Sequence, residues 1–278
     1  MNEILLKAQN LTYKYDDGTL ALKDINLEIT SGEKLAVLGP NGSGKSTFFL
    51  CLNGVRKPQR GTLTLEGKNY DYSRKGLLHL RSNVGIVFQD PDNQLFSAGV
   101  YEEIAFGPLN LGLSEVDVRK LVDNAIEKLE MSSFQHKPTH FLSGGQKKQV
   151  SIADIIVMEP KLIIFDEPTS ALDPKHCTLV KKRIEKLSKQ GKTVLLSTHD
   201  VDYALEWADR IVVFKDGTIE KSGTPEEIFS DLSLLERTHL EQPKVMQIFY
   251  GLQANGVLPK YLPVPKTTNE LLQYIDKN

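Results

Sequence analysis

The chain has 278 residues, 40% hydrophobic and 25% charged, with a formal net charge of −2 and a pI near 6.3. That length and composition suit one large globular domain plus something small, and the near-neutral balance gives no electrostatic reason to expect nucleic acid or an anionic membrane surface. No apolar run approaches the roughly 18 residues of a membrane span, the N-terminus lacks the layout of a signal peptide, and two distant cysteines, Cys51 and Cys177, argue for a reducing cytoplasm rather than a disulfide framework.

In chain order, LLKAQNLTYKY and ALKDINLEI alternate apolar and polar positions around the turn residues Asp16, Asp17 and Gly18, which predicts two strands. KLAVLG (34–39) is a short apolar strand running into the glycine-rich turn GPNGSGKS (39–46), and residues 45–53 have helical character. The turn fits G-x-x-x-x-G-K-[ST] in the strand–turn–helix context that gives the pattern meaning. Glycines let backbone N–H groups curl around phosphates, and the helix N-terminus adds a favourable dipole. Gly39, Pro40, Asn41, Gly42, Ser43, Gly44, Lys45, Ser46 and Thr47 are therefore a candidate phosphate-binding set. Lys45 supplies a point charge to the β- and γ-phosphates, and the Ser46 hydroxyl suits Mg2+.

GTLTLEG and VGIVFQ are two further strands, the second ending at Gln89. SEVDVRKLVDNAIEKLE places Val118, Leu121, Val122, Ala125 and Leu129 on one helical face. His136 and His140 are four apart, but Pro138 lies between them and no cysteine or acidic cluster completes a metal site, so they read as loop residues. In FLSGGQKKQV (141–150), Ser143 and Gln146 have the spacing of a capping box. Gly144 and Gly145 between them each cost about 1 kcal/mol relative to alanine in a helix. Such a pair implies that something approaches the first turn too closely for side chains.

After residue 160 the order is strand, helix, strand, helix, strand: LIIFDE, PKHCTLVKKRIEKLSKQ, TVLLST, VDYALEWA, RIVVFKDG. This predicts a mostly parallel sheet with crossover helices, with the stretch from about 95 to 160 inserted as helices. LIIFDE ends in Asp166 and Glu167, paired carboxylates that a Mg2+–nucleotide complex would compensate. Asp166 then faces the metal and Glu167 orients or deprotonates an attacking water. His199 and Gln89 also end strands, where ligands of such sheets bind. In the tail, Val245, Ile248, Phe249 and Leu252 form a helical stripe that either folds back on the main domain or packs on another chain. Thr267 and Glu270 fit a capping box for a last helix.

GPNGSGKS, Gln89, LSGGQ, LIIFDE, SALD (170–173) and His199 occur in the order and spacing of the ATP-binding-cassette ATPases, and the chain resembles that family over about residues 3–230. The resemblance implies an α/β fold. Its P-loop NTPase core would have a mostly parallel sheet with antiparallel N-terminal strands, an inserted helical subdomain (about 95–160) and a small C-terminal helical extension (231–278 after a domain of 1–230). It implies ATP and Mg2+ as cofactors, Ser46, Gln89 and Asp166 serving the metal, and Glu167 as catalytic base. Lys45, Gln89 and His199 complete the catalytic set, and Tyr15, rather than the nearby Tyr13, stacks on adenine. Leu142, Ser143, Gly144, Gly145 and Gln146 would act on the ATP of a second, facing ATPase chain, identical or paralogous, and Asp173 would signal between the two sites.

VFQDPDNQLF followed by EEIAFGPLNLGLSEVDVR resembles the ATPases of energy-coupling-factor importers, particularly the cobalt-import branch. This implies a membrane coupling protein and a membrane substrate-binding subunit as partners, on the cytoplasmic face of the cell membrane, and transport of cobalt, nickel or a vitamin. A soluble cassette of translation or DNA maintenance is the alternative. The single cassette and the short spacing from Gln89 to Ser143 oppose it. An assembly or regulatory cassette is a further alternative that no degenerate motif supports. Two departures from the family pattern, Gln149 where a basic residue is common and Asp154 where a small one is usual, are expected to affect only surface packing.

Overall fold

A computed structural model describes residues 3–276. The alternating N-terminal segments become β1 (Ile4–Lys14) and β2 (Leu20–Thr30), an antiparallel pair with Tyr13 opposite Leu22. β3 (Lys34–Leu38) is apolar almost throughout and leads through the glycine turn into α1 (Lys45–Leu52). β4 (Arg60–Leu65) and the two-residue β5 (Lys68–Asn69) complete a four-stranded antiparallel sheet in the order β2-β1-β4-β5. Then comes α2 (Arg74–Asn83), a segment the sequence reading leaves unassigned. Leu80 is its single buried side chain, so burial writes little periodicity into it; its start is marked by Ser73, whose Oγ accepts from the Gly76 N–H at 3.1 Å.

β6 (Val84–Val87) re-enters the core, and three helices follow: α3 (Val100–Asn110), α4 (Glu115–Lys128) and α5 (Gly144–Ile156). Their apolar faces meet one another. Val100, Ile104, Val118, Val122, Met131 and Val150 form a cluster distinct from those around the sheets. β7 (Leu162–Asp166), α6 (Pro174–Lys189), β8 (Thr193–Ser197), α7 (Val201–Trp207) and β9 (Arg210–Lys215) then alternate as expected. β10 (Thr218–Gly223) folds back antiparallel on β9. The second sheet has the order β10-β9-β3-β8-β7-β6, parallel except for β10.

β3, β7 and β8 are buried on both faces, which is why they read as unbroken apolar runs rather than alternations. One face packs with the antiparallel sheet and with Phe48 and Phe49 of α1. The other packs with α6, α7 and the tail helices α8 (Pro225–Phe229), α9 (Leu232–Thr238), α10 (Lys244–Ala254) and α11 (Thr268–Asp276). Of the tail stripe, Val245 and Phe249 are buried in this core, Leu252 packs at its edge and Ile248 faces solvent. The stripe folds back on its own chain.

One expectation needs correction. Neither Gln149 nor Asp154 is a surface position. Gln149 is buried, and its side-chain amide lies beside Arg183 of α6; with the amide oxygen assigned to that side, it accepts from both Arg183 Nη atoms at 3.0 and 3.1 Å. A basic residue at 149 would be a like-charge neighbour of that guanidinium. Asp154 is half-buried and accepts from Gln94 Nε2 at 3.1 Å.

Candidate active site

The loop between β3 and α1 takes its shape from close backbone approaches. Gly39 (φ 139°) lies so near the Phe214 carbonyl oxygen of β9 that a Cβ would overlap it. At Gly44 (φ 106°) a Cβ would stand 2.6 Å from the Ala21 carbonyl oxygen. The β9–β10 turn backs the loop from below, Gly217 N–H donating to Ser43 O at 3.0 Å. Lys45 is buried, and its ammonium donates to Gly39 O at 2.7 Å and Pro40 O at 3.0 Å. Burial pushes its pKa down, opposed by the nearby Glu167 and Asp166 carboxylates. Ser43 Oγ is buried with no hydrogen-bond partner among the described residues. A charged group and an orphaned hydroxyl on a loop of this shape fit an anionic ligand carrying several oxygens.

The loop floors an open cleft of about 610 Å3 that runs from Tyr15 and Lys23 past Asn41 and Ser46 to Gln89 and Glu167. The structure separates the two tyrosines. Tyr13 is buried in the sheet, whereas Tyr15 lines the cleft, its hydroxyl 2.8 Å from Thr47 Oγ1 and its ring under the Arg56 guanidinium at 5.6 Å. Ser46 is exposed in the same cleft.

Asp166 and Glu167 diverge at the end of β7. Asp166 is buried, and its Oδ1 accepts from Ser197 Oγ at 2.7 Å; that hydroxyl in turn accepts from the Glu167 N–H at 2.9 Å. Glu167 has φ 45°, a left-handed conformation that costs a non-glycine residue about 1–3 kcal/mol. The bend turns its carboxylate away from the strand. Oε2 accepts from Gln89 Nε2 at 3.1 Å, and Oε1 lies 2.8 Å from His199 Nε2. The second neighbour of that nitrogen is Asn41 Oδ1 at 3.1 Å. Both neighbours are acceptors, so Nε2 carries the ring proton. Gln89 uses its amide N–H groups on Glu167 and on Ser170 Oγ at 3.2 Å, which leaves its amide oxygen for the cleft.

Leu142–Gln146 are not among the residues lining this cleft. They form the start of α5, with the expected capping box: Ser143 Oγ accepts from Gln146 N–H at 3.3 Å, and Gln146 Oε1 accepts from Ser143 N–H at 3.0 Å. Gly144 is exposed, with open space where a Cβ would stand. Gly145 is buried against the His176 ring. Asp173 caps α6.

Several contributors carry no motif. Lys148, the second lysine of KKQ, is fully buried and donates to the carbonyls of Phe88 and Gln89, both at 2.7 Å. Burial pushes its pKa down to about 8, with Asp90 and Asp166 opposing. It ties α5 to the strand end that carries Gln89. Ser197 and the Asp216–Gly217 turn likewise support the site, as does Ser170 at the head of SALD; of the two without a quoted motif, only the turn had a legible signal, the dipeptide Asp-Gly after a strand.

A family model described as ABC transporter matches residues 22–170. A putative ABC transporter ATP-binding protein of Methanothermobacter thermautotrophicus is 44% identical over 270 residues, 97% of this chain and 96% of the relative. The energy-coupling factor transporter ATP-binding protein EcfA of Methanocaldococcus jannaschii is 44% identical over 255 residues, 92% and 91% of the two chains. Among solved structures, cbiO1 from Clostridium perfringens, described as part of the ABC transporter complex cbiONQ, is similar with a TM-score of 0.74 at 44% identity, covering 90% of this chain and 99% of that one. A dimeric ATP-binding cassette in a post-hydrolysis state bound to ADP and Pi gives a TM-score of 0.73 at 31% identity, covering 80% and 99%.

Proposed function

The chain belongs to the ABC transporter ATP-binding family, and from that membership we propose that it is the ATP-hydrolysing subunit of an energy-coupling-factor importer, working as half of a head-to-tail ATPase pair. The observation that carries this reading is the division of the machinery. Asn41–Thr47 of the phosphate loop, Gln89 and Glu167 share one cleft, with Asp166 buried at the same strand end, while the glycine-rich start of α5 stands outside it with Gly144 open. Such a helix N-terminus binds phosphate readily, and a second copy facing head to tail brings one.

In this reading Gly39–Thr47 hold the phosphates of ATP and Tyr15 stacks on the adenine. Ser46, Gln89 and Asp166 hold Mg2+: a hydroxyl, an amide oxygen and a carboxylate are the hard oxygen donors that ion takes. Bound there, Mg2+ would neutralise charge on the phosphates. Glu167 accepts the proton of the attacking water, a role worth about 10²–10⁴-fold in rate. His199, with its proton on Nε2, turns from Glu167 to the γ-phosphate, and Gln89 orients the water beside it. Leu142–Gln146 complete the partner's site, and Asp173 reports one site to the other. Residues 1–230 would form the ATPase domain, with 95–160 as its helical part and 231–278 as an extension.

Among the described residues no helix is long and apolar enough to cross a membrane. The membrane coupling protein and the substrate-binding subunit would be separate chains, with this one at the cytoplasmic face. Cobalt is the favoured cargo through the resemblance of VFQDPDNQLF to the cobalt-import branch, ahead of nickel or a vitamin. Co-purification of the membrane partners followed by metal-uptake assay tests that choice. For the chemistry, Glu167→Gln in the assembled complex should abolish phosphate release while ATP still drives dimerisation. Unchanged turnover would remove Glu167 as the base. Phosphate release absent from the wild-type complex would favour an assembly role.

A further inference from the structure

The two glycines of the α5 N-terminus have different neighbours. A Cβ on Gly144 would meet nothing within 4 Å, whereas one on Gly145 would overlap the His176 imidazole of the same chain at Cδ2, Nε2 and Cγ. Gly145 does not adopt a left-handed backbone, so what excludes a side chain there is this ring and not the local conformation. His176 sits in the first turn of α6. Its N–H donates to Asp173 Oδ1 at 3.0 Å, and its Nδ1 is hydrogen-bonded to Asp173 Oδ2. The ring is therefore held by Asp173 on one edge and lies against the backbone of α5 on the other.

The contact closes a continuous path within one chain. The Glu167 carboxylate meets Gln89, Gln89 meets Ser170, and the turn 170–173 ends at Asp173, whose carboxylate holds the ring against Gly145. We propose that His176 is a positioning residue that fixes the start of α5 to the turn carrying Asp173, so that the catalytic end of β7 and the helix offered to the partner's ATP move as one body. Gly145 is small because of this internal ring, and Gly144 is small because of the partner's nucleotide. This rests on the head-to-tail reading above for what α5 contacts; the packing itself does not depend on it.

The test is a double-substitution cycle in a Glu167→Gln background of the full-length chain, reading ATP-driven dimerisation by sizing chromatography. Binding of a fluorescent ATP analogue to the monomer shows that each variant is folded with its own loop intact. Gly145→Ala should weaken dimerisation by about tenfold or more, the usual consequence of overpacking. His176→Ala should weaken it several-fold with monomer ATP affinity unchanged, and His176→Asn, which can still donate to Asp173, should recover part of the loss. The Gly145→Ala/His176→Ala pair should be no worse than His176→Ala alone, because the overlap is gone. Losses that simply multiply, or a His176→Ala chain that dimerises like its parent, would overturn the proposal. Gly144→Ala reads the premise separately: its loss should persist whatever stands at 176, and if it dimerises normally the head-to-tail reading fails instead.

Discussion

At Asp154 the chain places a carboxyl between α5 and the Gln94 amide. Burial pushes its pKa up to about 7, helped by Glu103 and opposed by the Gln94 hydrogen bond. Between the ordinary value of 3.8 and about 7, the folded protein holds a proton that the unfolded chain has released. The stability linked to this group is full below the lower value, is lost as pH rises toward 7, and stays lost above it. Asp154→Asn keeps an acceptor for Gln94 and never ionises. It should raise the melting temperature by roughly 5 °C at pH 8, given 2–4 °C per kcal/mol for a chain of this class, with the gap narrowing by pH 5. A pH-independent gap in thermal melts would contradict this. Asp154 also shows where single residues outrun sequence patterns. Lys45, Asp166, Glu167 and His199 were legible because a strand end or a glycine loop announced them. Lys148, Ser197, Asp154 and His176 were not, since their roles depend on which element packs beside them.

Among the elements, the tail is the one whose placement the sequence left open. Val245 and Phe249 had the spacing of a buried stripe, but spacing cannot say what covers them. Phe249 is 1% exposed and joins the core that contains Ile184 and Trp207, and Lys244 N–H donates to Asp202 Oδ1 at 2.8 Å. Truncating a buried phenylalanine costs about 3–5 kcal/mol, so Phe249→Ala should lower the melting temperature by roughly 10 °C. A shift within a degree or two would mean that α10 is only loosely applied. The same packing changes how a deletion of 231–278 must be read. It removes Leu234, Met246 and Phe249 from the main core, so lost dimerisation in such a chain would reflect instability before any lost contact. Elsewhere the strands buried on both faces were legible as apolar runs, and β10 and α2 were not, being edge elements with little buried surface.

The glycine-rich start of α5 does not line the cleft that holds the phosphate loop and Glu167, which under the proposed arrangement makes a single chain half of each catalytic site. In that arrangement ATP would shift the population between open and closed pairs through a greater affinity for the closed one. The motif set allowed the resemblance to be stated from the sequence, but the absence of the α5 start from the cleft lining is visible only in three dimensions. It can be tested by complementation. Lys45→Ala and Ser143→Arg chains, each unable to release phosphate alone, are mixed, and phosphate release is measured. In a head-to-tail pair one of the two sites combines an intact loop with an intact signature, so release should return in the mixture. If each chain completed its own site, every site in the mixture would be defective, and a mixture as inactive as its parents would contradict the account.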